Sequence, residues 1–399
     1  MNQAAARDDW IDALRVLALF GVFIVNGMGY PSLFNQEMPA GAPNPLDSLL
    51  AQALHGLQVA LLENKAYPLL CFLFGHSAYG LYMRATNVTA LRVRYWKLLL
   101  IGVLPGMGLY GGDILTVYAI TGLCAAPWLA RKLNKLLNTL RILRNCFVCI
   151  ILVLLVLTSI AMWKLVPMSI PLAEVSLSAV APQSLASLYA NNTRFYLEGN
   201  VYSLVTLPLF LYLFTAGAVC ARLRLLSTHR IAKAYWAKHW GQWHLWLALS
   251  ANAALGLLSV WLHLKHPPYA SLVLPFLIMP LGIYLAIALL AATMRYRLRC
   301  AAQQAPTPAW VRGLAPAGRH TLVMYLALSC GLLLSSGAFF ALGGTTAQRT
   351  LAFAIAWFLA MRLALYASRQ QPPLKDPLTR WLSRPLATKQ MMVQERPTI

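Results

Sequence analysis

Asp12 and Arg15 stand three residues apart in an apolar run that opens at Ile11. That spacing puts both side chains on one face of a helix, close enough to neutralise each other. Asn26 follows after about three more turns and returns to the same stripe. His76 lies near the middle of a second apolar run, in FLFGHSAYG. There an imidazole can act as a general base, or it can bond a neighbouring helix. Asp113 heads a third run, GGDILTVYA, with Tyr118 just over one turn deeper. A carboxylate at that position can cap the free N–H groups of a helix or take a proton from a substrate. Glu63 and Glu198 are its few possible acidic companions. Arg319 and His320 lead into TLVMYLALS and, with Arg84, Arg92, Arg94 and Lys97, can form a basic rim. Such a rim suits anionic lipid headgroups or the phosphates of a nucleotide-like acyl donor. An ionisable group in a membrane helix costs at least a few kcal/mol on insertion scales, so each is a functional candidate. Each also has a structural reading: an anchoring ion pair, a hydrogen-bonded histidine, a helix cap, a lipid contact.

The elements that must carry these residues are transmembrane helices. The chain is 59% hydrophobic and 11% charged, with mean hydropathy +0.61, far from the quarter of charged residues usual in soluble domains. Ten apolar stretches follow one another: Ile11 to Tyr30, Tyr67 to Met83, Trp96 to Tyr110, Asp113 to Ala130, Cys146 to Trp163, Val201 to Cys220, Trp243 to His263, Leu272 to Met294, Leu322 to Leu342 and Leu351 to Tyr366. A hydrocarbon core of ~30 Å takes roughly 20 residues of helix, and lipid tolerates no unpaired backbone. The expectation is an all-α polytopic membrane protein of about ten transmembrane helices. Leu46 to Leu62 is amphipathic, with Asp47, Gln52, His55 and Gln58 among leucines and alanines. It is expected as a helix lying on the outer surface.

Charge sets the direction of threading. The net charge is +22, and the Lys and Arg residues concentrate in every second connection and in the tail. Short cytoplasmic loops retain cations. Both termini therefore read as cytoplasmic. A first half, 1–144, with four spans, the outer helix 46–62 and the GDIL block, is expected to meet a second half, 145–399, with six spans and a basic tail, 368–399. The basic balance belongs to membrane-facing loops, so no nucleic-acid partner is expected. Seven cysteines, mostly in apolar segments, imply no disulfide framework, and Cys146 and Cys149 form a CxxC without a second ligand pair, so no metal is expected. The sequence has no GxxxxGK[ST], HExxH or GxSxG.

Those same polar positions resemble the YeiB-like bacterial membrane proteins, which carry the domain of unknown function 418. IDALRVLALFGVFIVN resembles that family's D-x-x-R-G-x-A-x-x-G-x-x-x-x-N, with Asp12, Arg15, Ala18, Gly21 and Asn26 matching and Val16 in place of a Gly. NKAYPLLCFLFG is similar to GKF-x-x-LFSFLFG and keeps Lys65, Phe72, Leu73, Phe74 and Gly75. The GDIL block keeps Gly112, Asp113, Ile114, Leu115, Tyr118 and Gly122. GAVCARLRLL and AGRHTLVMYL look like later family segments. The resemblance implies a bacterial inner-membrane protein of about ten helices and a distant kinship with transmembrane acyltransferases such as the heparan-α-glucosaminide acetyltransferases. It also implies acyl-CoA as a co-substrate rather than a bound cofactor. Two histidines typical of those relatives fall at Asn26 and Pro105, and the family's GPLEW becomes Asp376-Pro377-Leu378-Thr379-Arg380. Taken together, the expected function is acyl transfer from a cytoplasmic donor to a glycan or small-molecule acceptor. Asp113 or His76 would act on the acceptor, and Asp12, Arg15, Asn26, Lys65, Tyr118, Arg84, Arg92, Arg94 and Arg319 would bind. The alternative is a transporter, export accessory or immunity factor for a small amphiphile.

Overall fold

A computed structural model describes residues 8–29, 49–85, 87–108, 111–163, 185–265, 267–341, 355, 357–366 and 381–382. Among them there are helices and no strand. In chain order these are α1 (Asp9–Gly29), α2 (Leu49–Leu61), α3 (Ala66–Ala85), α4 (Val88–Gly108), α5 (Leu115–Ala125), α6 (Leu133–Trp163), α7 (Leu185–Arg222), α8 (Arg230–His239), α9 (Gln242–Lys265), α10 (Pro267–Ala302), α11 (Ala309–Leu314), α12 (Thr321–Ala341) and α13 (Trp357–Tyr366). Short 3-10 turns cover Ala126–Ala130 and Ala317–His320. Four helical stretches are long and apolar enough to cross a membrane: Leu133–Leu157, Ser203–Arg222, Gln242–Lys265 and Leu274–Ala302. The outward faces remain apolar, as lipid contact requires: Leu152, Val153, Trp246 and Leu257 are all more than half exposed.

The main core is built from α1, α3, α4, α5, α7, α10, α12 and α13. Its tightest joint is between α3 and α7, where no side chain separates the backbones. A Cβ on Gly75 would collide with the carbonyl oxygen of Phe214, and one on Gly217 with that of Phe72. Small residues of this kind let helices approach closely in lipid. Helices of both halves expected from the sequence contribute to this core. Asn145, the expected border, falls inside the continuous helix α6.

Helix α1 runs antiparallel to α3. Arg15 meets Ser77 near one end of the pair, and Gly21 meets Ala66 further along. Asp9 and Asp12 occupy the first turn of α1, where the helix dipole favours acids. The turn Ala317–His320 packs on this end so tightly that Gly318 touches the backbone of Asp12. That contact fixes the neighbouring Arg319.

Helix α2 departs from the expectation of a helix lying flat on the outer surface. Gly56 faces Gly256 and Val260, while Ala60 faces Gly256, so α2 runs antiparallel along the second half of α9. Val59 is buried with Leu255, Leu274 and Ile278. The polar stripe seen in the sequence faces a helix instead of water: His55 Nε2 lies 2.9 Å from Ser259 Oγ, and its ring stacks edge-on against His263 at 4.8 Å.

Candidate functional site

Where α1, α3, α4, α5 and α12 converge, they enclose a cavity of about 530 Å³, in the size range of small-molecule sites. Arg15, Arg84, Arg94 and Arg319 line it, with His76, Tyr118, Tyr325, Asp8 and Asp12. Seven residues picked out in the sequence thus meet in one place: Asp12, Arg15, His76, Arg84, Arg94, Tyr118 and Arg319.

Each is held by identifiable contacts. The guanidinium of Arg15 donates to Asp12 Oδ1 through Nη1 and to Ser77 Oγ through Nη2, and so bridges α1 to α3. Asp12 is almost wholly buried, at 1% exposure; a carboxylate so placed needs its cation. Asp8 Oδ2 accepts from Arg297 Nη1 at 2.8 Å. Both cavity acids are thereby paired, whereas Arg84, Arg94 and Arg319 form no ion pair among the described residues. Arg319 Nε is buried without a hydrogen-bond partner among the described residues. The cavity is an anion-attracting one, and a planar guanidinium with a spare donor suits a phosphate oxygen. His76 is half-buried and makes no hydrogen bond to a described residue. Tyr118 donates its hydroxyl to Tyr67 O at 2.7 Å and stacks against Phe74, so its ring forms apolar wall.

Asp113 stands behind this wall and is 7% exposed. Its Oδ2 accepts from Thr116 N at 2.9 Å and from Thr116 Oγ1 at 3.0 Å, and its Oδ1 accepts from Tyr325 Oη at 2.6 Å. Thr116 Oγ1 also lies 2.9 Å from Tyr196 Oη. The carboxylate caps the start of α5 and ties it to α12 and α7. The D-x-x-T spacing that allows the cap was present in the sequence. Tyr325 and Tyr196, more than eighty residues away, carried no local signal.

Three expected binding residues lie elsewhere. Asn26 shares the stripe of Asp12 but lies beyond the cavity's end. Arg92 is exposed and points off the cavity, since two residues along a helix turn the side chain well away from Arg94. Lys65 is 4% exposed in the turn between α2 and α3, where its ammonium donates to Val59 O. Burial lowers its pKa to about 8, against an opposing pull from Glu63. Burial also raises the Glu63 carboxyl above its ordinary value. Lys97, from the basic rim, instead donates to Trp381 O at 2.7 Å, and Leu382 joins the cavity wall. Among the described residues no group of His, Cys, Asp and Glu is arranged to hold a metal ion.

Comparison of this chain with protein-family models, with curated proteins and with solved structures finds no match.

Proposed function

We propose that this chain is a ten-span inner-membrane protein of the YeiB-like type, with both ends in the cytoplasm, and that it is an acyltransferase. Its cavity would take the phosphates of a cytoplasmic acyl donor such as acyl-CoA. The acyl group would pass to a hydroxyl or amine of an envelope glycan or small molecule. One observation carries this reading: among the described residues, Arg84, Arg94 and Arg319 converge without an ion-paired acid on the cavity that also holds His76, whose imidazole bonds none of them. The threading is supported by the overlap of each of the ten apolar segments with a helix, and by the cation-rich connections.

In this mechanism His76 takes the proton from the acceptor as its oxygen or nitrogen attacks the thioester carbonyl. The tetrahedral intermediate then expels the thiolate, which recovers the proton from the imidazolium. Asp113 holds the wall in place and is not the base. A general base contributes about 10²–10⁴-fold, so His76→Ala should lose that much transfer while the protein still folds. The test is lipid and glycan mass spectrometry of deletion cells complemented with wild-type or His76→Ala protein. An acyl increment restored by the first and not the second supports the reading; an increment restored equally by both removes His76, and none in wild type removes acyl transfer. A carrier for an anionic amphiphile is the rival. The commitment of Asp8, Asp12 and Asp113 to protein partners favours it, because it leaves His76 alone for acid–base work.

A further inference from the structure

A second cavity, of about 160 Å³, opens between the start of α9 and the last turns of α10. Its floor is Leu245 with Ala288, Ala291 and Ala292, whose short side chains leave the space. Its rim is Trp240, Gly241 and Gln242 on one side and Arg295, Tyr296 and Arg299 on the other. Arg295 Nη1 donates to Trp240 O at 3.0 Å, which holds that guanidinium at the rim. Arg299 is exposed, and its side chain makes no hydrogen bond or ion pair among the described residues. Gln242, the first residue of α9, places the start of that helix on the same rim. Trp243 and Trp246 stand exposed on that helix, as anchors do at a membrane–water boundary.

Among the described residues no acid forms an ion pair with Arg295 or Arg299. Between Glu198 and Asp376 the chain contains no Asp or Glu. Asp8 reaches this end of the bundle, but it is taken by Arg297. Basic side chains of α8, Lys233 and Lys238, are exposed close by in the chain. That leaves Arg295 and Arg299 available to an anion from outside the protein.

We propose that this cavity seats the phosphate headgroup of an anionic phospholipid. It is too small to enclose a drug-sized ligand. A lipid needs only its headgroup enclosed, because its chains can lie along the exposed apolar flank at Leu247 and Leu289. The apolar floor distinguishes this source from free phosphate: alanines and a leucine offer inorganic phosphate nothing, but they pack against a glycerol unit. Arg295 and Arg299 hold the phosphate oxygens, and the start of α9 adds its dipole. The proposal is independent of what happens in the larger cavity.

The test is native mass spectrometry of the full chain in neutral detergent, with phosphatidylglycerol and phosphatidylcholine of equal chain length. One phosphatidylglycerol should stay bound under activation that strips phosphatidylcholine. Arg299→Ala should weaken its retention about fivefold and Arg299→Glu should abolish it, while Arg312→Ala, on α11 and off the cavity, should change nothing. Ala288→Leu fills the floor without altering charge and should expel the lipid as well, which keeps the test decisive if the charge reversal does not purify. Equal retention of the two lipids, or an Arg299→Glu protein that still holds phosphatidylglycerol, overturns the proposal. So does displacement of the lipid by millimolar inorganic phosphate, which marks a free-anion site.

Discussion

The side chains at the larger cavity divide into those that hold the protein together and those left available. Asp113 belongs to the first group. Its removal leaves three buried donors, Thr116 N, Thr116 Oγ1 and Tyr325 Oη, without this acceptor. Each buried unsatisfied donor costs about 1–3 kcal/mol, so Asp113→Ala should lower the unfolding temperature in detergent far more than His76→Ala does. A stable Asp113→Ala protein without activity would instead make Asp113 the base. Lys65 gives a prediction in pH. Its folded value, about 8, lies below the ordinary 10.5, so the unfolded chain holds more protons between those limits. Stability should therefore rise as pH climbs from about 8 to 10.5, and Lys65→Met should flatten that rise in thermal unfolding. The Asp12–Arg15 pair was legible in the sequence, because three-residue spacing on a helix dictates contact. Asn26 was not, because a shared stripe fixes direction and says nothing about where a cavity ends.

At the scale of helices, the crossing of α3 and α7 positions His76, which follows Gly75 directly. Gly75 lies against the backbone of Phe214 and Gly217 against that of Phe72, and neither contact leaves room for a methyl group. Gly75→Ala and Gly217→Ala should each destabilise by about 1–3 kcal/mol or more, because the backbones must separate. Gly80, on the same helix but with open space around it, is the control and should tolerate alanine. Melting temperatures of the three purified variants check this ordering; equal losses at all three positions would sink it. Periodicity located most of these helices without difficulty, since long apolar runs have one solution in lipid. It failed for α2 because an amphipathic pattern reports a polar face without saying what that face meets. His55 meets Ser259 and His263, and the leucines Leu49, Leu50 and Leu57 are the exposed side.

For the molecule as a whole, the distribution of cations supports the proposed threading, which is directly measurable. Cys146 and Cys149 are exposed, two to five residues beyond Arg144 at the cation-rich end of α6. Both fall within the expected span Cys146 to Trp163, so with all native cysteines replaced and a single one introduced by Arg141→Cys, an impermeant thiol reagent should label opened cells and not intact ones. Labelling of intact cells would invert the topology, and the proposed donor cavity would face the wrong side. The convergence of Arg319 with Arg84 and Arg94 was only half visible in the sequence. All three read as basic rim, but the close packing of Gly318 on Asp12, which aims Arg319 inward, depends on contacts more than three hundred residues apart.

The long acid-free stretch has a practical corollary at the bench. A polypeptide that furnishes cations but borrows its anions is left electrically unbalanced once lifted from a charged bilayer into neutral micelles. Its monodispersity after solubilisation should then depend on ionic strength and improve when an acidic surfactant is doped into the buffer, whereas a chain with interleaved charges would be indifferent to both.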